Sequence, residues 1–279
     1  MNARPRRSAL YLPASNAKAI AKARTLSCDV VILDLEDAVA PDAKALARDL
    51  AVAAIKEGGF GARELVVRVN ALDTEWGADD LAALYAYAPD AVLVPKIMQV
   101  GDVDIYASHL AAPTPIWAMI ETAASLFRLD AIAGADRIAA LVMGTNDLAK
   151  ETGAQPGPDR LPFVGALGLA VAAARMHGRV ILDGVYNDID DDVGFNEQAR
   201  QAVEFGFDGK TLIHPRQIEL CNAAFLPDPA AVAWARLIVG AFDLPENLER
   251  GAIRVEGKMV ERLHLHQAHR VLAATIQPD

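Results

Sequence analysis

A short, continuous apolar run recurs between residues 9 and 213, each time followed at once by polar residues and, in most intervals, by a stretch with helical spacing. The runs are Ala9–Leu12, Val30–Leu33, Leu65–Val69, Ala91–Val94, Ile116–Ile120, Ile138–Met143, Val180–Leu182 and Thr211–Ile213. Unbroken rather than alternating apolarity marks strands covered on both faces, as in parallel sheets flanked by helices. Helical periodicity occupies Ala17–Leu26, Ala43–Ile55, Ala78–Tyr87, Ala123–Ala133, Leu167–Met176 and Glu197–Phe205. Pro41 and Asp42 open the second of these, and Gly58 and Gly59 close it. Repeated βα units on this scale predict a (β/α)8 TIM barrel, a fold of about 250 residues. A doubly wound open sheet is the alternative, but no glycine-rich dinucleotide fingerprint opens the first helix.

The barrel is expected to span residues 1–225. Beyond it, Pro227 and Pro229, a helix near 230–242, Pro245, Gly251, Gly257 and a helix near 260–274 form a C-terminal helical arm, residues 226–279. The arm is read as a lid, as a swapped element covering a neighbouring subunit's site, or as packing on the barrel base.

The 279 residues are 53% hydrophobic and 23% charged, and 37 acidic against 27 basic residues give a net charge of −10. That balance argues against sequence-independent nucleic-acid binding, which needs a basic footprint. Cys28 and Cys221 stand alone, without metal-type spacing, which fits a reducing, cytoplasmic setting. The basic start lacks a secretory apolar core, and no run of eighteen apolar residues occurs, so neither export nor a membrane partner is expected.

Catalytic groups of a barrel sit where strands end and βα loops begin. Those positions hold Asp34, Glu36 and Asp37, then Arg68 and Asn70, Lys96, Glu121, Asn146 and Asp147, Asp183 and His214. Glu121 and Asp147 follow successive strands, so two carboxylates aim at one place. Such a pair suits Mg²⁺, which keeps waters and takes further oxygens from substrate; the alternative is that each is a helix-end acid. Arg68 lies inside a buried strand, where a charge needs a partner. Its planar fork suits a substrate carboxylate, or a structural ion pair with Glu36 or Asp37. Lys96 could form a Schiff base, but the surrounding acids favour an ion-paired ammonium. His264, His266 and His269 are read as solvated or helix-end histidines rather than as metal ligands.

Seven ordered segments resemble the HpcH/HpaI aldolase superfamily, in particular its branch of citrate lyase beta subunits, malyl-CoA lyases and citramalyl-CoA lyases. They are RSALYLP from Arg7, VILDLEDAV from Val31, RVN from Arg68, VPKI from Val94, IETA from Ile120, GTNDLA from Gly144 and GKTLIHP from Gly209. The resemblance implies a Mg²⁺-dependent barrel lyase that cleaves a 3-hydroxyacyl-CoA to acetyl-CoA or a similar acyl-CoA and a 2-oxo acid, or runs the reverse condensation. It implies Glu121 and Asp147 as metal ligands, Arg68 at the oxo-acid end of the substrate, and Glu36 and Asp37 in the metal's outer shell. Backbone amides of Gly144–Asp147 would bind a carboxylate, and Pro13, Asn16 and Lys22 would meet the coenzyme A phosphates. In the family's arm an aspartate reaches a neighbour's site as the acid/base, so a homo-oligomer, trimer or hexamer, is expected. Here the matching position is Glu261, and the proline that usually follows is missing. A citrate lyase beta subunit acting on a carrier-bound citryl thioester, and a CoA-thioester binding protein without turnover, stand as alternatives.

Overall fold

The computed structural model describes residues 4–275. Strands β1 (Ser8–Pro13), β2 (Val30–Asp34), β3 (Glu64–Arg68), β4 (Ala91–Val94), β5 (Ile116–Ile120), β6 (Ile138–Met143), β7 (Val180–Asp183) and β8 (Gly209–Leu212) pair in parallel in chain order. β8 closes onto β1, so the sheet is a closed barrel and the open doubly wound alternative is excluded. The barrel is wrapped by α1 (Ala17–Ala23), α2 (Lys44–Glu57), α3 (Gly77–Ala86), α4 (Val100–Ser108), α5 (Ala123–Leu126), α6 (Leu129–Gly134), α7 (Thr145–Thr152), α8 (Val164–Met176) and α9 (Asp192–Phe205), with α10 (Gln217–Ala224) after β8. Together these make a (β/α)8 TIM barrel.

Strands β2 to β5 are buried at every position, as their unbroken apolarity requires. Inward-facing Ile32, Val66, Leu93, Trp117, Val142 and Leu182 fill the interior as a packed core rather than a pore. Register sets what stands above that core. Asp34 is the partner of Arg68 across β2 and β3, and Ile120 that of Met143 across β5 and β6. The polar groups therefore rise together at the C-terminal end of the barrel.

Some local expectations change. The helix read over 123–133 is two, α5 and α6, interrupted at Phe127 and Arg128. The eighth strand begins at Gly209, ahead of the run that ends at Ile213, because Lys210 is buried through pairing rather than by apolarity. α4 and α10 carry little apolar periodicity, and α7 is a short polar helix with Leu148 as its one buried side chain, so none of the three stands out in the sequence.

A second compact unit begins at Ala223. It contains α11 (Pro229–Phe242), an antiparallel hairpin of β9 (Ala252–Val255) and β10 (Lys258–Glu261), and α12 (Arg262–Ala273). Ile238, Phe242, Ile253, Val260 and Ala268 form its own core. Gly257 is part of the tight hairpin turn: Glu256 and Gly257 have φ of 46° and 82°, the pair of positive values that a two-residue turn of type I′ needs. The stretch Gln217–Phe242 has the length and composition of a membrane span. It is broken into α10 and α11 around Pro227–Pro229, and Asp228 caps the second helix.

Candidate active site

Because Asp34 and Arg68 are register partners, their side chains share a face and meet as a fork. Arg68 Nε and Nη2 donate to the two Asp34 oxygens at 2.7 and 2.6 Å. The same carboxylate accepts the backbone amides of Glu36 and Ala38, which shapes the loop after β2. The expectation that the Arg68 fork receives a substrate carboxylate is corrected accordingly: that edge is closed on Asp34. Nη1 remains, 3.0 Å from Glu36 and 3.3 Å from Asp37. Burial works against the guanidinium, but its bonds to Asp34 more than offset this and hold its pKa well above the ordinary value.

Beneath the loop, buried Lys44 of α2 donates to the carbonyls of Leu35 and Glu36 and to Asn70 Oδ1, each at 2.7 Å. Asn70 in turn donates to Leu35 O and to Asp80. The sequence carries a signal for this lysine, since Lys44 is in phase with the buried stripe Ala47, Ala51 and Ala54 of its helix. It was not singled out, because a lysine on an apolar face reads as an exception until its acceptors are seen.

Glu121, directly after β5, is buried, and its Oε1 accepts the backbone amide of Lys96 at 2.7 Å. Lys96 has φ of 52°, a left-handed conformation that aims its amide at the carboxylate. Its ammonium lies 3.7 Å from Glu36. Burial alone would lower the Lys96 pKa, but Glu36 and Glu121 outweigh it and raise it, the opposite of what a Schiff-base lysine requires. Glu36 rises to about 8 and Glu121 to about 7, in both cases chiefly through burial, with nearby carboxylates adding to the effect. The attraction of Arg68 for Glu36 is insufficient to reverse this, because Arg68 is shared with Asp34 and Asp37.

Asp147 stands in the first turn of α7 and lines a cavity of about 280 Å³ together with Tyr11, Asp37, Arg68, Met119 and Asn146. Gly144 gives Glu121 its space, since a Cβ there would lie 2.4 Å from Glu121 Cβ and 2.7 Å from Oε2. The Gly144 amide is bonded to Ile120 O, so of the amides expected to bind a carboxylate those of residues 145–147 are left, free of intrahelical acceptors as in any first turn.

Among the described residues no three His, Cys, Asp or Glu side chains converge as a complete metal cage. The donor set nevertheless fits a divalent cation that keeps most of its own waters. Asp34, Glu36, Asp37, Glu121 and Asp147 outnumber Arg68 and Lys96, and the buried Glu36 Oε2, though 3.0 Å from Arg68 Nη1, makes no well-aligned hydrogen bond among the described residues. Glu121 and Asp147 are the pair able to hold such a cation directly.

Pro13 ends β1 in register with Asp34, the side chain of Asn16 caps α1 through the Ala19 amide, and Lys22 is exposed in the last turn of that helix. None of the three lines the cavity. Glu261 belongs to the second unit, where its side chain caps α12 and its amide donates to His264 Nδ1 at 2.9 Å. His266 Nδ1 contacts the Arg262 carbonyl, one turn back on the same helix. Asp183 is held behind the wall by Arg160 at 2.6 Å and Lys210 at 2.8 Å, a structural trio outside the cavity lining. Asn187, absent from the sequence reading, does line the cavity; its position in an exposed polar loop gave no signal.

Residues 7–215 match the model of the HpcH/HpaI aldolase/citrate lyase family. The chain belongs to this family. Similar proteins include a (3S)-malyl-CoA thioesterase from Cereibacter sphaeroides, 46% identical over 97% of this chain and 95% of that one. An L-malyl-CoA/beta-methylmalyl-CoA lyase from the same species is 34% identical over 95% of this chain and 93% of its own. Among solved structures, CitE from Mycobacterium tuberculosis in complex with magnesium, acetoacetate and coenzyme A is 33% identical, with a TM-score of 0.79 over 97% of this chain and 98% of that one. Membership of this enzyme family agrees with the barrel and with the acid-rich mouth.

Proposed function

We propose that this family member is a magnesium-dependent enzyme for a 3-hydroxyacyl thioester of coenzyme A of the malyl-CoA kind, and that it hydrolyses the thioester to the free hydroxy acid and coenzyme A. The observation that carries the reading is the cavity at the barrel mouth lined by Asp147 and Arg68, with the buried Glu121 carboxylate close enough to feel both charges and the first-turn amides of α7 beside them. That arrangement matches a substrate end rich in hydroxyl and carboxylate oxygens. The 46% identity to malyl-CoA thioesterases favours water as the acceptor.

Glu121 and Asp147 would hold the metal, which when bound supplies Lewis acidity to the substrate's oxygens. The Lys96 amide fixes the Glu121 carboxylate, and Asp34 fixes Arg68, so that Nη1 and the amides of residues 145–147 orient the substrate carboxylate. Glu36 and Asp37 tune the charge around Arg68. Pro13, Asn16 and Lys22 form the side on which the coenzyme A phosphates would lie, with the exposed Lys22 supplying positive charge. Glu261 is assigned proton transfer, acting from the arm on a neighbouring copy within a homo-oligomer.

A second reading, cleavage of the carbon–carbon bond to acetyl-CoA and a 2-oxo acid, is favoured by the 34% identity to malyl-CoA lyases. Incubating the protein with malyl-CoA, with and without Mg²⁺, separates the two. Hydrolysis yields malate and free thiol, and the lyase reaction yields glyoxylate and acetyl-CoA. Failure to turn over any hydroxyacyl-CoA, or turnover unaffected by stripping the metal, would overturn the reading.

A further inference from the structure

At the cavity mouth Asn146, from α7, and Asn187, from the loop after β7, pair their side-chain amides head to tail. Asn146 Nδ2 donates to Asn187 Oδ1 at 3.2 Å, and Asn187 Nδ2 donates to Asn146 Oδ1 at 2.9 Å. Both residues line the same cavity as Arg68 and Asp147. An amide nitrogen carries two hydrogens, so each asparagine keeps one donor after pairing. Apart from the Thr145 hydroxyl, the other side-chain donors of that lining are committed. Arg68 has two nitrogens closed on Asp34 and its Nη1, beside Glu36 and Asp37, assigned above to the substrate carboxylate; the Thr211 hydroxyl donates to the Asp183 carbonyl at 2.9 Å, and the Tyr11 hydroxyl faces the Met119 sulfur at 3.8 Å. Ionised carboxylates only accept. A neutral acceptor entering this acid-rich mouth therefore finds its side-chain donors in the two amides, with the Thr145 hydroxyl at the start of α7 beside them. Their mutual bonds, exposed to water, are weak enough to be shared.

Resting on the thioester reading above, we propose that the spare N–H groups of Asn146 and Asn187 receive the thioester carbonyl oxygen of the substrate. The hydroxyl and carboxylate oxygens are matched by Glu121, Asp147, Arg68 and the α7 amides, which leaves the carbonyl as the substrate oxygen without an assigned partner. When water adds to the carbonyl carbon, the C=O π pair moves onto oxygen, and the amides stabilise that negative charge where the nearby acids oppose it. Collapse re-forms C=O and breaks the C–S bond, and the proton lost by the attacking water ends on the thiolate sulfur. The products are the hydroxy acid and coenzyme A, with atoms and charge balanced.

Two unreactive analogues of malyl-CoA test the contact on the magnesium-loaded protein. One replaces the thioester sulfur with methylene and keeps the carbonyl. The other also reduces the carbonyl to methylene. Asn187→Ala and Asn146→Ala should each weaken the ketone by about 3- to 10-fold, the scale of one hydrogen bond, and leave the affinity of the other analogue unchanged. Turnover should show kcat lowered by about 100-fold, with KM far less affected, the scale for removing one oxyanion donor. Asn187→Asp keeps the shape but presents only acceptors, and should be at least as damaging as alanine. Equal weakening of both analogues, or of neither, overturns the assignment. If the wild type instead releases glyoxylate and acetyl-CoA, the hydrolysis reading fails, while the paired affinities still decide whether the amides meet the carbonyl.

Discussion

Gly144→Ala is the sharpest probe of the site, because it adds one carbon at a place where the structure has none to spare. The new Cβ would lie 2.4 Å from Glu121 Cβ, 2.7 Å from Glu121 Oε2 and 3.2 Å from Met119 Cε. Carbon pairs settle at about 3.5–4.0 Å, so the Glu121 Cβ has to retreat by roughly 1 Å or more. The Met119 methyl can swing aside. The Glu121 Cβ cannot, since it is fixed to backbone just beyond β5, and the Gly144 amide ties the two segments together at Ile120 O, 3.0 Å away. Overpacking of this kind costs about 1–3 kcal/mol. In a protein of this size that lowers Tm by roughly 2–6 °C. A displacement of about 1 Å at a catalytic carboxylate costs on the order of a hundredfold in rate. Thermal melts, calorimetric Mg²⁺ titration and malyl-CoA turnover should therefore all deteriorate together, with Mg²⁺ affinity falling. Gly165→Ala serves as the control: nothing lies within 4 Å of its Cβ position in α8, and the change should be neutral or stabilise by about 0.5–1 kcal/mol. A Gly144→Ala protein with wild-type Tm and wild-type Mg²⁺ affinity would refute the reasoning.

Arg68→Lys keeps the charge but loses the two-pronged grip on Asp34, and leaving that carboxylate poorly paired should cost about 3–5 kcal/mol in denaturant titrations as well as turnover; loss of turnover at unchanged stability would point away from the Asp34 fork. Glu36 and Glu121 have folded pKa values of about 8 and about 7, above the ordinary 4.5, so the native state binds more protons than the unfolded chain between those limits. Their stabilising contribution is complete below about pH 4.5 and is lost as pH rises through 7 to 8, so the metal-free Tm should fall across that window and Glu36→Gln should flatten the fall; an unchanged slope in Glu36→Gln counts against the assignment. Glu261→Gln should lower the chemical step by about a hundredfold while Mg²⁺ binding persists. Mixing those chains with Glu121→Ala chains should restore activity if Glu261 serves a neighbouring copy, and no recovery despite proven subunit exchange excludes that role.

The barrel was legible because most of its strands are buried on both faces and so read as unbroken apolar runs, the exception in apolarity being β8. The carboxylates were legible because barrel geometry assigns chemistry to strand ends. Pairings that depend on register were not. Nothing local says that Asp34 stands opposite Arg68, so Glu36 and Asp37 looked like equal partners for the guanidinium. Lys210 shows the same limit: its burial comes from Asp183 on the neighbouring strand, a partner many residues earlier. The hairpin before α12 was hidden because Glu256 adopts a positive φ that its residue type does not announce.

Lys44 gives the mouth two halves with different freedom to change. Its ammonium pins the Leu35 and Glu36 carbonyls to α2, so the acid loop inherits its shape from the scaffold, and altering it means disturbing a buried network that reaches Asn70 and Asp80. The Asn146–Asn187 side rests on the exposed first turn of α7 and on the loop after β7, where a replacement of either asparagine disturbs no core. A barrel divided in this way can keep one oxygen-binding half through descent while the other half drifts. New chemistries on this scaffold would then arise by editing the loops after β6 and β7, with the acid loop passed on intact.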